Sequence, residues 1–546
     1  MRALIVALIG SSLVACIGDD DVPSAIDSDV GDGSDAPSDA TSSDTPTADA
    51  ENKPDAGLED AAGLEDAAGP EVGPRDGGTY GPHPLDSSVP SALGAARWRA
   101  HWTDDIAPFW VAPEAIGTPV GNFPTYRGMD GQLAGSTDRR PRMMGRQIYT
   151  YSLGFALTGD PELLELAQAG VTWLRAHAKD TTHRGWFGLL DQNGQPNLTE
   201  PKLTQDTSYV MLGMSAYHFV TRDPDAESEL LETRDLLFDS ATYFDATASR
   251  LRDGMTADLS SPVDVENDGG SELVAQLDPI NAFLLLSQPV LSEAARRDMF
   301  LDDLRALGET IVSSYFQDGV FFGVDTNLGR FGTKHVDFGH TLKTYWMLLQ
   351  IDKRLPDHPF SGVVFENVHT QLQKAFDEEN GLWAKRPTTA SSVEYGSDWW
   401  IHAEADQLAA TLDLVDWRYV SVLERTGAGW IQKYVDPTYP VREVIPSINR
   451  RGARVYAWPR TDTAKCNLWK NGFHSTEHAL IMYLHGRALE NAPATLYFAV
   501  PEAEADTFEA RPYTWLGTEV SRTKRESVTI GGYALTVVEV SWEGLY

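Results

Sequence analysis

The sequence predicts an all-α fold: a closed (α/α)6 barrel with a small C-terminal β appendage and a disordered N-terminal tether. Amphipathic stretches of helical length follow one another from about residue 90. A glycine beside an aromatic or apolar residue recurs at Gly185, Gly254, Gly319 and Gly381, with spacings of 69, 65 and 62 residues, and such periodicity indicates a repeat architecture. Residues 17–79, by contrast, contain no Phe, Trp or Tyr.

The predicted barrel occupies residues 90–491. Its helices are predicted at 92–111, 141–158, 161–178, 203–220, 226–244, 278–288, 293–315, 336–354, 360–376, 399–413, 416–434 and 474–489. Taken as six pairs, these helices fit a closed ring with the even-numbered helices inside. An open solenoid of stacked pairs is the alternative, although its repeats are usually shorter and more uniform.

Three helix starts carry a capping signal. Asp160 and Asp223 each precede a proline, which is the combination expected at the N-cap and the first helical position. Ser292 precedes a Glu-Ala-Ala run and is predicted as a third N-cap.

The N-terminus is predicted to be an export signal, residues 1–16, followed by an acidic disordered linker, residues 17–89. Arg2 precedes a short apolar run that ends in Leu-Val-Ala-Cys16, which resembles the lipobox of bacterial lipoproteins. We therefore expect lipidation of Cys16 and anchoring to the bacterial cell envelope, at the periplasm or cell surface. An ordinary cleaved signal with an incidental cysteine is the alternative. The linker carries 19 acidic residues and two basic ones, Lys53 and Arg75. It has too little apolar area to fold.

Composition excludes several classes of protein. With 44 basic and 80 acidic residues the 546-residue chain has a net charge of -36, so nucleic-acid binding is not expected. Two cysteines are too few for a disulfide framework or a cysteine-rich metal site.

Residues 492–546 form the predicted appendage. It has β-branched runs at Thr495–Val500 and Ser527–Trp542, and the second run contains a Gly531-Gly532 turn.

Polar side chains collect near the start of every inner helix. They are Arg142 and Arg146; Lys202, Gln205 and Asp206; Asp278 and Asn281; Asp337, His340 and Lys343; Trp399, Trp400, His402 and Glu404; and Lys470, Asn471, His474, Glu477 and His478. In a ring of inner helices these starts converge on one funnel, which is the expected form of a ligand site.

Five runs resemble the N-acylglucosamine 2-epimerase superfamily, which includes cellobiose 2-epimerases and mannose isomerases. They are Arg146-Gln-Ile-Tyr-Thr-Tyr-Ser152, Gly185-Trp-Phe-Gly-Leu-Leu-Asp-Gln-Asn-Gly194, Phe338-Gly-His-Thr-Leu-Lys-Thr-Tyr-Trp346, Trp399-Trp-Ile-His-Ala-Glu404 and Asn471-Gly-Phe-His474. The resemblance implies an (α/α)6 barrel acting on the reducing-end carbon of a sugar. It also implies that His340 and His474 are the acid/base histidines and that Arg146 contacts the oxygens of the ring-opened sugar.

The chain departs from the family pattern at three positions. Lys343 stands where the Gly-His-x-x-Glu motif has Glu, a further family histidine falls near Asn281, and a usual tyrosine falls near Gln205. Lys343 lies three residues from His340 and would disfavour its imidazolium, whereas Asp337 would favour it. The sequence does not decide which of these two charges has the larger effect on the pKa of His340.

We expect a sugar epimerase or isomerase that moves a proton at C2, next to the C1 carbonyl of a ring-opened aldose, through a histidine pair and an enediolate. The partner is a mono- or oligosaccharide with a reducing end, and no metal or nucleotide is expected. The residues predicted to bind substrate are Arg146, Trp186, Gln205, Asn281, Lys343, Trp399, His402 and Glu404.

Three other interpretations remain open. His474, Glu477 and His478 spell H-x-x-E-H, an inverted zincin motif. A glycoside hydrolase or lyase would pair carboxylates, either Asp206 with Glu404 or Asp337 with Glu477. The third is a carbohydrate-binding lipoprotein that has lost catalytic activity.

Overall fold

The computed structural model describes residues 89–263, 265, 269–456 and 463–546. The signal, the lipobox with Cys16 and the linker lie outside the described residues. Among the helices of the described part, none combines the length and apolar character needed to cross a bilayer.

Twelve helices, named α1 to α12 here, form an (α/α)6 barrel. The first three are α1 (Ala95–Ala100, a π-helical His101–Ile106 and Ala107–Trp110), α2 (Pro141–Thr158) and α3 (Pro161–His177). Then come α4 (Thr204–Thr221), α5 (Pro224–Leu237), α6 (Leu273–Pro279, a π-helical Ile280–Leu284 and Leu285–Ser287), α7 (Ala294–Tyr315), α8 (Phe338–Asp352) and α9 (Ser361–Ala375). The last are α10 (Trp399–Asp416), α11 (Val420–Gly429 and a π-helical Trp430–Tyr434) and α12 (Phe473–Leu489). Short helical turns lie at Pro113–Ile116, Gln288–Val290 and Asp325–Asn327.

Burial separates inner helices from outer ones. Every residue of α2 from Pro141 to Leu157 is buried, whereas α7 buries one stripe that includes Phe300, Leu304, Leu307 and Ile311. This i, i+4, i+7 spacing is that of a helix with one face on the core. Helices α2 and α4, α4 and α6, α8 and α10, and α10 and α12 pack on one another, and α12 returns to α2. The hydrogen bond from Lys343 to Asp278 joins α8 to α6 and completes the ring.

Glycine allows a close crossing between the inner helices α2 and α4. A Cβ on Gly145 of α2 would lie 2.1 Å from the carbonyl oxygen of Tyr209, and one on Gly213 of α4 would lie 2.6 Å from that of Gly145. Because no side chain separates them, the two backbones approach directly.

Short β-hairpins follow several outer helices at the end of the barrel where the inner helices begin. The short strands of the described residues are Arg127–Gly128, Lys202–Leu203, Phe244–Asp245, Arg250–Leu251, Gly254–Met255, Phe316–Gln317, Val320–Phe321, Phe376–Asp377, Leu382–Trp383, Arg386–Pro387, Val393–Glu394, Gly396–Asp398, Ser447–Asn449, Arg454–Val455 and Ala464–Cys466. Gly185, Gly319 and Gly381 have φ of 72°, 82° and 62°, a conformation that favours glycine. These turns account for most of the repeat seen in the sequence.

The helix predictions hold apart from their boundaries. Asp160 and Asp223 cap α3 and α5 as predicted, their carboxylates accepting from the amides of Glu162 and Ala226. The Ser292 prediction is wrong, because Glu293 is the N-cap of α7 and Ser292 donates to Glu227 instead.

Two predicted boundaries were also wrong. Helix α5 ends at Leu237, because the chain then turns back and Phe244–Asp245 pairs with Arg250–Leu251. Helix α6 begins at Leu273, before the predicted start at 278, and runs through Pro279. A proline inside a helix removes one hydrogen-bond donor, and α6 widens into a π-helical segment directly after it.

The C-terminal residues form a three-stranded antiparallel sheet. Its strands are β1 (Ala494–Val500), β2 (Thr518–Ile530) and β3 (Tyr533–Glu543), with β3 in the centre. The predicted Gly531-Gly532 turn joins β2 to β3, and both glycines have positive φ. The segment between β1 and β2 packs into the barrel, where Trp515 donates from Nε1 to Thr411 Oγ1 at 3.1 Å.

Candidate active site

Side chains from the starts of the inner helices and the loops before them line one central hollow. The residues around it are Arg146, Gln205, Tyr209, Asp278, His335, His340, Lys343, Trp399, Trp400, Trp469 and His474. The hollow has a volume of about 70 Å³ and is lined by both charged and aromatic side chains. The convergence expected from the sequence is therefore present.

His340 is held by the carboxylate that caps its helix. Asp337 Oδ1 accepts the backbone N–H of His340 at 2.7 Å, and Asp337 Oδ2 lies 2.6 Å from His340 Nδ1. Burial alone would lower the pKa of His340, but the charge and hydrogen bond of Asp337 outweigh it, so this pKa is raised. The imidazolium form is favoured, and Nε2 is the ring nitrogen left for a ligand.

His474, the second residue of α12, lies in an environment that favours its neutral form, unlike that of His340. Burial lowers its pKa well below the ordinary histidine value, and the nearby cations Arg146, Lys343 and Lys470 lower it further. Its Nδ1 lies 3.3 Å from Glu404 Oε1, although the two atoms form no hydrogen bond. His474 is therefore neutral near pH 7.

The Trp400 ring connects the two histidines across the hollow. Its centroid is 4.9 Å from that of His340 and 6.2 Å from that of His474. Gly339 makes room for it, because a Cβ there would lie 2.3 Å from the Trp400 ring. The Gly-His pair of the motif thus places an imidazole and an indole side by side.

Two fixed cations also face the hollow. Lys343 Nζ donates to Asp278 Oδ1 at 3.0 Å, and Asp278 also accepts from Gln205 and Tyr209. Burial opposes the charge on Lys343, but Asp278 outweighs it and raises the pKa of Lys343. Arg146 donates to the carbonyl of Trp469 at 2.8 Å and lies 3.7 Å from the centre of the Tyr209 ring.

Six of the predicted residues are brought together. Those that line the hollow are Arg146, Gln205, His340, Lys343, Trp399 and His474. Each comes from the first turns of an inner helix, where the ring geometry directs side chains towards the common axis.

Four predicted substrate-binding residues do not line the hollow. His402 is fully buried and faces the outer helix α11, with Nε2 3.1 Å from the carbonyl of Thr426. Asn281 is buried one turn past Asp278, which occupies the hollow in its place. Trp186 donates to Thr233 on α5 and packs beside a separate small hollow. The fourth, Glu404, lies behind His474.

Three residues around the hollow were missed from the sequence. His335 precedes α8 in a loop, with its ring centroid 4.6 Å from that of His340, and no sequence pattern marks it. Trp469 likewise lies in the loop before α12. Tyr209 is four residues after Gln205, so the helical period could have found it.

A buried carboxyl pair lies beneath His474. Gln407 donates to both Glu404 and Glu477, at 3.4 and 3.2 Å, and Tyr513 donates to Glu477. Burial raises the pKa of Glu404 to about 8 and that of Glu477 to about 7. The ligand atoms of Glu404, His474 and Glu477 lie within 4.8 Å of one another, a spacing that could hold a metal ion.

The inverted zincin arrangement is not formed. His478 points away from His474 and lies 2.9 Å from Asp406 Oδ2, so the two histidines of the motif do not share one ligand position. The paired carboxylates of a hydrolase are not arranged across the hollow either. Asp206 is bound by Arg142 at 2.8 Å, and Asp337 is bound to His340.

Fold and site together define a class: an (α/α)6 barrel with three histidines and two cations around one central hollow. The N-acylglucosamine 2-epimerase family model matches residues 121–440. The chain belongs to this family, and it is an enzyme of the epimerase and isomerase class.

Relatives and solved structures agree with this placement. Cellobiose 2-epimerase of Bacteroides fragilis is 23% identical over 325 residues, which cover 55% of this chain and 77% of that protein. The structure of cellobiose 2-epimerase from Spirochaeta thermophila has a TM-score of 0.61 at 18% identity, covering 72% of this chain and 97% of the other. A D-mannose isomerase structure has a TM-score of 0.61 at 18% identity, covering 72% of this chain and 99% of the other. At these identities the structural likeness concerns the fold.

Proposed function

We propose that the protein epimerises or isomerises a reducing-end aldose by moving a proton at C2. One observation carries the proposal: His340 and His474 line the same hollow, and their pKa values are displaced in opposite directions. Titratable groups whose environments separate their pKa values mark the acid and the base of a proton-transfer site.

The neutral His474 is the base in the forward direction. Its Nε2 takes the proton from C2 of the open-chain sugar, and the C–H electron pair moves into the C1–C2 bond while the carbonyl oxygen becomes negative. The imidazolium of His340 then delivers a proton to C2 from the other face, which inverts that carbon. Reprotonation at C1, with loss of the proton on O2, gives the ketose instead.

The cations of the hollow stabilise the enediolate. Positioned charges in a water-poor site act strongly on the negative oxygen that develops during the reaction. Arg146 is fixed by the Trp469 carbonyl, and Lys343 is fixed by Asp278. Lys343 therefore supplies positive charge where the family motif has Glu, and Asp278 keeps it protonated.

The aromatic walls suit a sugar. Trp399, Trp400 and Trp469 all face the hollow, and indole faces pack against the apolar faces of pyranose rings. The names of the relatives make cellobiose and mannose the first substrates to test.

The decisive experiment is incubation of the protein with cellobiose, mannose and other reducing sugars in deuterated water. We expect deuterium at C2 of the recovered sugar and a product of equal mass apart from the label. Release of a shorter sugar would point to hydrolysis, and sugar binding without exchange would identify an inactive binding protein. Either outcome contradicts the proposal.

We also propose that the protein is exported and anchored to the bacterial envelope by lipid on Cys16, as residues 2–16 suggest. Labelled palmitate should be incorporated in cells and be lost in Cys16→Ser. Equal labelling of both proteins would contradict this anchoring.

A further inference from the structure

A second hollow lies at the opposite end of the barrel, where inner helices end. It has a volume of about 900 Å³. Its walls include Arg222 and Lys353, which cap the C-termini of α4 and α8. The segment between β1 and β2 contributes Glu504, Phe508, Glu509, Arg511 and Leu516. We call it the distal hollow. None of its lining residues belongs to the central hollow.

Lys353 has an unusual position in this hollow. Its Nζ is buried and has no hydrogen-bond partner among the residues that the structure describes. Burial, with the neighbouring charge of Arg354, lowers the pKa of Lys353 to about 7. A buried ammonium without a partner is destabilising unless an anion accompanies it.

The neighbouring guanidinium groups are positioned by backbone carbonyls. Arg354 donates to the carbonyls of Gln350 and Thr514 at 2.7 and 3.0 Å, and Arg297 donates to those of Leu291 and Ser292. Carbonyl oxygens hold a guanidinium in place without neutralising its charge. These groups therefore keep their charge for a ligand.

Formal charges in the distal hollow favour an anion. Its lining carries five cations, Arg222, Arg297, Lys353, Arg354 and Arg511, and four acids, Glu227, Asp298, Glu504 and Glu509. Two of these acids and one of the cations are already engaged. Glu509 pairs with Arg511 at 2.8 Å, and Glu227 accepts from Ser292. With Lys353 protonated, the lining has a formal net charge of +1 in a chain of net charge -36.

We propose that the distal hollow binds a small multivalent oxyanion, of the phosphate or polycarboxylate type, which Arg297 and Arg354 meet in the lining and towards which the Lys353 ammonium turns from its buried position. Ammonium and guanidinium groups bind such oxygens through charge-assisted hydrogen bonds. The lining also contains Phe508, Leu231 and Leu516. Their apolar surfaces can pack against an apolar or sugar portion attached to the anion.

The test is calorimetric titration of the purified protein with inorganic phosphate and with citrate, at constant ionic strength set by chloride. We expect saturable binding of at least one of them, and Lys353→Met should weaken it by about tenfold or more. The matched control is Lys374→Met, which removes the same charge from an exposed position on α9 and should bind as the wild type does.

The two titrants distinguish the sources of the anion. Tighter binding of phosphate would point to phosphorylated ligands, and tighter binding of citrate to carboxylates. Thermal unfolding without ligand gives a second measurement, since Lys353→Met removes an unpartnered buried charge and should raise the melting temperature. Binding of neither titrant, or equal binding by wild type and Lys353→Met, would overturn the proposal.

Discussion

Asp337 holds His340 twice, at the backbone amide and at Nδ1, with distances of 2.7 and 2.6 Å. A single carboxylate thus begins helix α8, orients the imidazole and favours its protonated form. Lys343, three residues further along the helix, would do the opposite, but its charge is directed to Asp278. The protonation of the site therefore depends on which carboxylate lies beside each basic group: Asp337 beside His340, and Asp278 beside Lys343.

Asp337→Asn tests this control of the pKa. Asparagine also caps helices, so α8 should remain folded, whereas the pKa of His340 should fall because the negative charge is lost. We expect the upper limb of the pH profile of kcat/KM to move to lower pH, with a decrease of roughly 10- to 100-fold in activity. An unchanged upper limb would show that Asp337 does not set the protonation of His340.

The activity of the wild-type enzyme should be bell-shaped in pH, because the active form of the histidine pair carries one proton. The lower limb reflects protonation of His474 and should lie below about 6.5, the ordinary histidine pKa. The upper limb reflects loss of the proton from His340 and should lie above it. A profile of kcat/KM from pH 4 to 10 measures both limbs.

Replacement of either histidine should remove the reaction while leaving the fold intact. We expect His340→Ala and His474→Ala each to decrease C2 deuterium exchange by about 10²- to 10⁴-fold. The far-UV circular dichroism of both variants should match the wild type. Full exchange in either variant would remove that residue from the mechanism.

Lys343→Met should destabilise the protein, because it leaves Asp278 buried without its cation. Loss of one partner of a buried ion pair costs about 3 kcal/mol, which urea unfolding would detect. The double variant Lys343→Met with Asp278→Asn should regain most of that stability, yet remain weak in exchange because the positive charge is gone. Recovery of activity in the double variant would exclude Lys343 from enediolate stabilisation.

Gly339→Ala should displace the Trp400 ring, since the new Cβ would meet it at 2.3 Å. We expect a higher KM and slower exchange, measured with the best substrate of the sugar panel. Gly362→Ala on the outer helix α9 is the matched control, because a Cβ there has no described neighbour within 4 Å. Equal effects of the two substitutions would show that the change at Gly339 acts on helix propensity alone.

The positions of the helices could be predicted because they are local. Apolar periodicity, the Asp-Pro caps at Asp160 and Asp223 and the glycine turns each depend on neighbours in the chain. The predicted start of α6 was wrong because Asp278-Pro279 matches the pattern of a helix start, whereas the helix begins at Leu273 and runs through Pro279.

Membership of the candidate site was only partly predictable. His340 and His474 fall in motifs, but His402 lies on the face of α10 that packs on α11. His335 reaches the hollow from a loop with φ of 57°, a conformation that no residue pattern indicated. Whether such a side chain faces the hollow depends on the direction in which its helix face or loop points, and packing sets that direction.

The sequence by itself determined the succession of twelve helices, the polar residues at the inner helix starts and the two histidines, since these follow from periodicity and short motifs. Only the tertiary structure decided that Asp337 outweighs Lys343 at His340 and that His474 is neutral. Asp278 reaches Lys343 across 65 positions of the chain, and Glu404 reaches His474 across 70. Electrostatic interactions depend on distance in space and on burial, and ring closure alone sets both.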